Sequence, residues 1–265
     1  MPDNPFTVTL EIYDGRDAEV VVPQGVTKIG KRAFANNRYI KSVVLPEGVT
    51  VIDEEAFSSC ANMVSVSIPD TVQQIGTGAF KGCWRLEHID IPQGVTHLGD
   101  KTFARCRSLV EIALPEGLTS VGDGCFQHCI SLERASLPGS LERIGANAFY
   151  NCEKLTLDAL PDGLETIENE AFRNCASLVA IELPESVGWI GQRAFKDCAS
   201  LFEVALPSQI GFIEEGTFEG CSSLGSVVLP NALEHVESRA FAGTGLAADD
   251  LSLPEACSIA PDAFA

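Results

Sequence analysis

The sequence predicts a repeat solenoid, and three observations carry the prediction. Phenylalanine recurs every 23 residues, at Phe34, Phe57, Phe80, Phe103, Phe126, Phe149, Phe172, Phe195, Phe218, Phe241 and Phe264. A fixed period of this length marks a chain that repeats one supersecondary unit, each copy burying its apolar side against the next. Other columns keep the same phase. Three residues after the phenylalanines lie Cys60, Cys83, Cys106, Cys129, Cys152, Cys175, Cys198 and Cys221, and six residues after them Ile40, Met63, Leu86 and their equivalents. The third observation is a period-two apolar pair closed by proline, as in Val43/Leu45 before Pro46 and Ile89/Ile91 before Pro92.

The elements follow in order. Thr7 to Tyr13 alternates polar and apolar residues like a half-buried strand, Asp14-Gly15 is a hairpin turn signal, and Ala18 to Val22 is apolar again. Residues 1–22 are therefore expected to form an antiparallel hairpin that caps the first strand edge. Residues 23–265 are expected to form about eleven coils, the last truncated. Within a coil the period-two pair is a strand, and proline ends it because it cannot donate to the ladder. Turn residues such as Glu47-Gly48 follow, then a second extended arm bearing Val49/Ile52 and its equivalents. The Ala-Phe-x-x-Cys-x-x-Leu run, with inward residues three apart, predicts a short helical or 3-10 turn. Two places depart from the pattern: Asp158 falls at an inward strand position, and in the last coil Pro254 comes one residue late, with Gly243-Thr244-Gly245 at the cysteine position.

The run Leu-x-x-Val-x-Leu-Pro-x-x-Val-x-x-Ile-Gly-x-x-Ala-Phe-x-x-Cys resembles the leucine-rich repeats of the BspA-like type, over roughly residues 20–265. The resemblance implies a right-handed solenoid with a parallel β-sheet on one face, extended arms and short turns on the others, and a role in adhesion or protein binding at a bacterial-type surface. It supplies no catalytic residues to transfer.

Composition and charge bound the function. At 45% apolar residues the chain can fill a core, and a net charge of −19 disfavours nucleic acid and anionic membrane. No stretch has the length of a transmembrane helix, and the start shows no basic and apolar leader pattern, so neither membrane insertion nor a signal peptide is expected in this chain. The compartment stays open between the cell surface, which the resemblance implies, and the cytosol, which reduced thiols would suit.

Candidate chemistry is sparse. The cysteine column has no Cys-x-x-Cys pair to hold a metal, and parallel inward side chains aim poorly at one another for disulfides. It reads as a ladder of buried thiols acting as small hydrophobes, with Cys125 and Cys257 also in the core. Gly25 to Lys31 mimics a phosphate-binding loop but has Arg32 where Ser or Thr would hold magnesium. His88, His97, His128 and His235 form no metal or acid–base constellation, and no nucleophile has a base, so neither an enzyme nor a cofactor is expected.

The outward sheet columns, from Ser42 and Val44 through His88 and Asp90 to Ser226 and Val228, are small and mixed and read as a solvated face. The carboxylates after the prolines, Glu47, Asp70, Glu116, Asp162 and Glu185, read as a solubilising edge. The arm column five residues after proline holds Trp189, Phe212 and His235 in consecutive coils, with Gly188 and Gly211 baring the surface beside them. Stacked exposed aromatics are the usual anchors of an interface. The sequence thus points to a non-catalytic scaffold binding a protein partner through Trp189, Phe212 and His235, with self-association through the uncapped last coil as a further expectation. The alternatives are a structural segment of a larger cell-surface adhesin or end-to-end oligomer and, from another class, an enzyme or nucleotide binder.

Overall fold

The computed structural model describes residues 8–157 and 159–265. It is a parallel solenoid whose coils bond to one another along three sides. Asp158, whose irregularity the pattern marks, and the first seven residues of the expected cap lie outside the described residues.

On the first side, three-residue strands pair parallel at a 23-residue register: Glu19–Val21, Ser42–Val44 and Ser65–Ser67, then Glu111–Ala113 with Arg134–Ser136, then Ala180–Glu182, Glu203–Ala205 and Ser226–Val228. Most of these strands bury the middle residue and expose its two neighbours, as alternation on a one-sided sheet requires. On the second side, the arm, two-residue strands do the same. Three groups occur: Thr9–Leu10 to Gln74–Ile75, Ser120–Val121 to Trp189–Ile190, and Phe212–Ile213 to Ser258–Ile259. Their first residue faces out, and their second is buried in every strand between Lys28–Ile29 and His235–Val236.

The third side carries the phenylalanines and corrects the expected helical turn. The residues two before and two after each phenylalanine from Phe34 to Phe241 take positive φ, as at Arg32 (58°) and Asn36 (63°). A left-handed residue every four positions prevents a helix from propagating. Backbone N–H groups instead alternate in direction. Ala33, Ala35 and Asn37 close local turns onto Gly30, Arg32 and Phe34, while Arg32, Phe34 and Asn36 donate to Glu54, Ala56 and Ser58 of the next coil, at 3.0, 2.7 and 2.8 Å. The strain of the left-handed residues is offset because every N–H in the run finds an acceptor. The same three inter-coil bonds recur at each junction from Arg32 through Gly220. Among the described residues the one helix is a 3-10 turn, Ala248–Asp250, in the last coil where a sheet strand would otherwise sit.

The N-terminal segment also differs from expectation. Thr9–Leu10 pairs parallel with Lys28–Ile29, and Glu19–Val21 pairs parallel with Ser42–Val44, so the described part of the cap extends both ladders rather than folding into an antiparallel hairpin. Asp14 and Gly15 do not take the positive φ that a two-residue hairpin turn needs. A hairpin would also have left one of the two first edges uncovered. Tyr13 sets its ring 5.1 Å from Phe34, at the head of the aromatic column.

Inside, Phe34 to Phe241 are fully buried and stack ring on ring. Neighbouring centroids lie between 4.8 and 5.7 Å apart. The thiol column does more than fill space. Each Sγ–H donates to the carbonyl of the preceding coil's phenylalanine, from Cys60 to Phe34 (3.1 Å) through Cys221 to Phe195 (3.1 Å). Asn37 and Thr244 take the cysteine position at the two ends. Asn37 bonds the Gly15 carbonyl and Thr244 the Phe241 carbonyl. Among the described residues no buried side-chain nitrogen or oxygen lacks a partner.

Candidate functional site: an exposed aromatic pair and two lapses of the ladder

The turn ladder is continuous, but the two strand ladders are not, and the lapses locate the features that differ from coil to coil. On the arm, no backbone hydrogen bond among the described residues joins 188–191 to 211–214, although both flanking pairs of coils are bonded. Trp189 and Phe212 stand on opposite sides of this lapse, 38% and 47% exposed. Phe212 stacks on His235, with centroids 4.9 Å apart and planes within 17°. Trp189 closes the preceding strand group, next to Thr166. Beneath the lapse lie Ile190, Leu206, Ile210, Ile213, Thr217 and Phe218. Of the three residues singled out in the sequence, the structure joins Phe212 and His235 directly and places Trp189 across the lapse from them.

On the sheet side the lapse is deeper. Residues 88–91 make no backbone hydrogen bond to either neighbouring coil, although Ile89 and Ile91 point inward as their alternation predicts. A recess of about 520 Å³ opens there, lined by Asp70, His88, Asp90, Glu111 and Arg134 over a floor that includes Ile89 and Ile112. His88 Nε2 lies 3.2 Å from Asp90 Oδ1, and Arg134 pairs with Glu111 at 3.2 Å. The face is therefore not uniformly flat. The sequence shows no sign of this, because the groups that fail to pair belong to the backbone.

A second feature escaped the column reading. Val179 and Phe202, seven residues after their phenylalanines, are 55% and 49% exposed in consecutive coils and lead directly into strands Ala180–Glu182 and Glu203–Ala205. That column also holds Lys41, Glu87 and Glu133. Two apolar residues in consecutive coils, in a column that mixes Val64 and Val110 with charged residues, are the signal that could have found them.

The remaining chemical candidates are occupied structurally. In the segment mimicking a phosphate loop, Lys28 pairs with Asp53 and Lys31 with Glu54, each at 2.8 Å. A Cβ on Gly30 would lie 2.9 Å from the Leu10 carbonyl, so glycine there answers to coil packing. Burial, then Arg105 and Arg107, hold the His128 imidazole below its ordinary pKa, and its ring meets Tyr150 edge-on at 5.2 Å. Glu185 accepts from the Ser208 amide and hydroxyl, which lowers its pKa. Among the described residues no group of three or more His, Cys, Asp and Glu is placed to hold a metal, and no helix is long and apolar enough to cross a membrane.

Comparison with known proteins matches this geometry to a family. The family model described as "BspA type Leucine rich repeat region (6 copies)" matches residues 27–156 and 143–265. A leucine-rich repeat protein of Bacteroides ovatus is 26% identical with a TM-score of 0.70, over 100% of this chain and 83% of that one. A leucine rich cell surface protein of Faecalibacterium prausnitzii is 28% identical with a TM-score of 0.55, over 97% and 87%. The pneumococcal vaccine antigen PcpA, 16% identical with a TM-score of 0.53 over 95% and 70%, shares the fold. No curated protein sequence matches. The phenylalanine turns, the 23-residue coils and the matched residues together place the chain in the BspA-type leucine-rich repeat family.

Proposed function

We propose that this protein is a non-catalytic scaffold that binds another protein through the arm side, with Trp189, Phe212 and His235 as the contact. One observation carries the reading: two large aromatic side chains stand exposed on consecutive coils, on either side of a junction where no arm backbone hydrogen bond forms among the described residues. Ten phenylalanines of the repeat are fully buried, whereas Trp189 and Phe212 stand exposed in phase with one another on consecutive coils. Aromatic residues dominate interface hot spots because they bury much area at little loss of side-chain freedom. His235 already holds the Phe212 ring, which reduces the ordering cost of binding. The description of one relative as a cell surface protein supports a binding role of this kind.

The test is quantitative binding to a partner recovered by crosslinking, measured with the wild type and with Trp189→Ala/Phe212→Ala. Loss of two anchors of about 2 kcal/mol each weakens binding several hundredfold, with the thermal melt of the free protein little changed. An affinity within twofold of wild type would remove the arm from the interface.

A further inference from the structure

The recess on the sheet side lies on a different face from the arm aromatics and does not depend on them. We infer that it is a second interaction site, which receives lysine or arginine side chains from an extended segment of a partner protein. Three independent features of the recess point to that chemistry.

The first is its supply of acceptors. The carbonyl oxygens of residues 88–91 accept no hydrogen bond from any backbone N–H, because the strand ladder passes this coil by on both sides. In the paired parts of this face such carbonyls are used up, as between Ser42–Val44 and Ser65–Ser67. An ammonium carries three donors and a guanidinium five, and neither has an acceptor, so they suit these carbonyls, while the N–H groups of the same residues, equally unpaired by the backbone, suit the carbonyls of an extended segment.

The second is charge. Asp70, Asp90 and Glu111 line the recess. Arg134 answers Glu111 alone, and Asp70 has no ion pair among the described residues. His88 sits beside Asp90, and the three carboxylates outnumber Arg134 and His88 together. The local balance is negative within a chain of net charge −19, so both the site and the long-range field favour a cationic segment.

The third is shape. A volume of about 520 Å³, with an apolar floor that includes Ile89 and Ile112, accommodates the methylene stems of long basic side chains as well as their heads. The recess runs across several coils, from Ile68 to Ser136, so an extended segment laid along the solenoid axis meets it with successive side chains.

The probe is a fluorescein-labelled decapeptide alternating lysine and threonine, followed by anisotropy against a glutamate–threonine decapeptide. Wild type binds the lysine peptide, binding weakens as salt is raised, and Asp70→Lys/Asp90→Lys weakens it at least tenfold. Glu47→Lys/Asp162→Lys makes the same change of net charge on the post-proline edge and leaves binding within twofold. Asp70→Asn/Asp90→Asn preserves shape and weakens binding severalfold, which covers the case in which the lysine variant does not fold. Equal losses in the two lysine double variants would reduce the effect to net charge and overturn the site. So would an absence of binding by wild type, or equal binding of the glutamate peptide.

Discussion

Raising the pH from 7 to 10 in the presence of a reductant strongly destabilises this protein. Nine cysteines are buried and free: the eight of the column and Cys125. Burial pushes the Cys60, Cys125 and Cys221 thiols up to about 12, and holds the other six well above the ordinary value of 9.0. In the unfolded chain the same groups ionise near that ordinary value. Below about pH 8 both states carry neutral thiols, and the cysteines leave stability nearly independent of pH. Above it the unfolded chain releases protons that the native chain retains, so stability falls as pH rises between about 9 and 12.

At pH 10 each thiol favours unfolding by about 1 kcal/mol, and nine together by on the order of 10 kcal/mol. Urea melts at pH 7, 8, 9 and 10 check this. The midpoint is flat to about pH 8 and then collapses. Cys129→Ala and Cys152→Ala each lower the proton release by one. A protein at pH 10 within about 2 kcal/mol of its stability at pH 7 would contradict the burial of the column.

Phe126→Ala destabilises the protein by about 3–5 kcal/mol. Phe126 is fully buried between Phe103, at 5.5 Å, and Phe149, at 5.3 Å. Truncation removes two ring contacts and leaves a cavity that the neighbouring coils cannot close. Their spacing is held by the bonds from Phe103 to Cys125 and from Phe126 to Ala148, at 2.8 Å each, which the substitution keeps. Each coil touches only its neighbours, so a defect in mid-rod divides the cooperative unit and broadens the denaturant transition. Phe264→Ala removes a ring stacked on one side only, on Phe241, and costs less. A loss below about 1 kcal/mol at Phe126 would be inconsistent with the stack.

What was legible in the sequence was the inward set. Phe34 to Phe241, the eight thiols, and pairs such as Val43/Leu45 are all buried at the positions the columns predict. Burial is a property of side chains, and a side chain's apolarity is written in its residue type. The outward aromatics were legible for the same reason: Trp189 and Phe212 are exposed because the second arm residue, not the first, faces the core.

What was not legible was where the backbone finds its hydrogen-bond partners from coil to coil. Ala-Phe-x-x-Cys has the spacing of a helical turn, but inter-coil acceptors such as the Ala56 carbonyl draw alternate N–H groups outward, and residues such as Arg32 and Asn36 become left-handed to allow it. Asp14-Gly15 has the composition of a hairpin turn, but two parallel edges waiting in the first coil outweighed it. His88-Ile89-Asp90-Ile91 alternates like its neighbours, yet it bonds to neither, and the recess exists because of that. The sequence by itself therefore determined the period, the family and the core of this protein. Only the tertiary structure decided which junctions between coils are closed by hydrogen bonds and which are open. The physical reason is that backbone donors and acceptors are the same in every coil, so their partners are chosen by the stack and not by the residue.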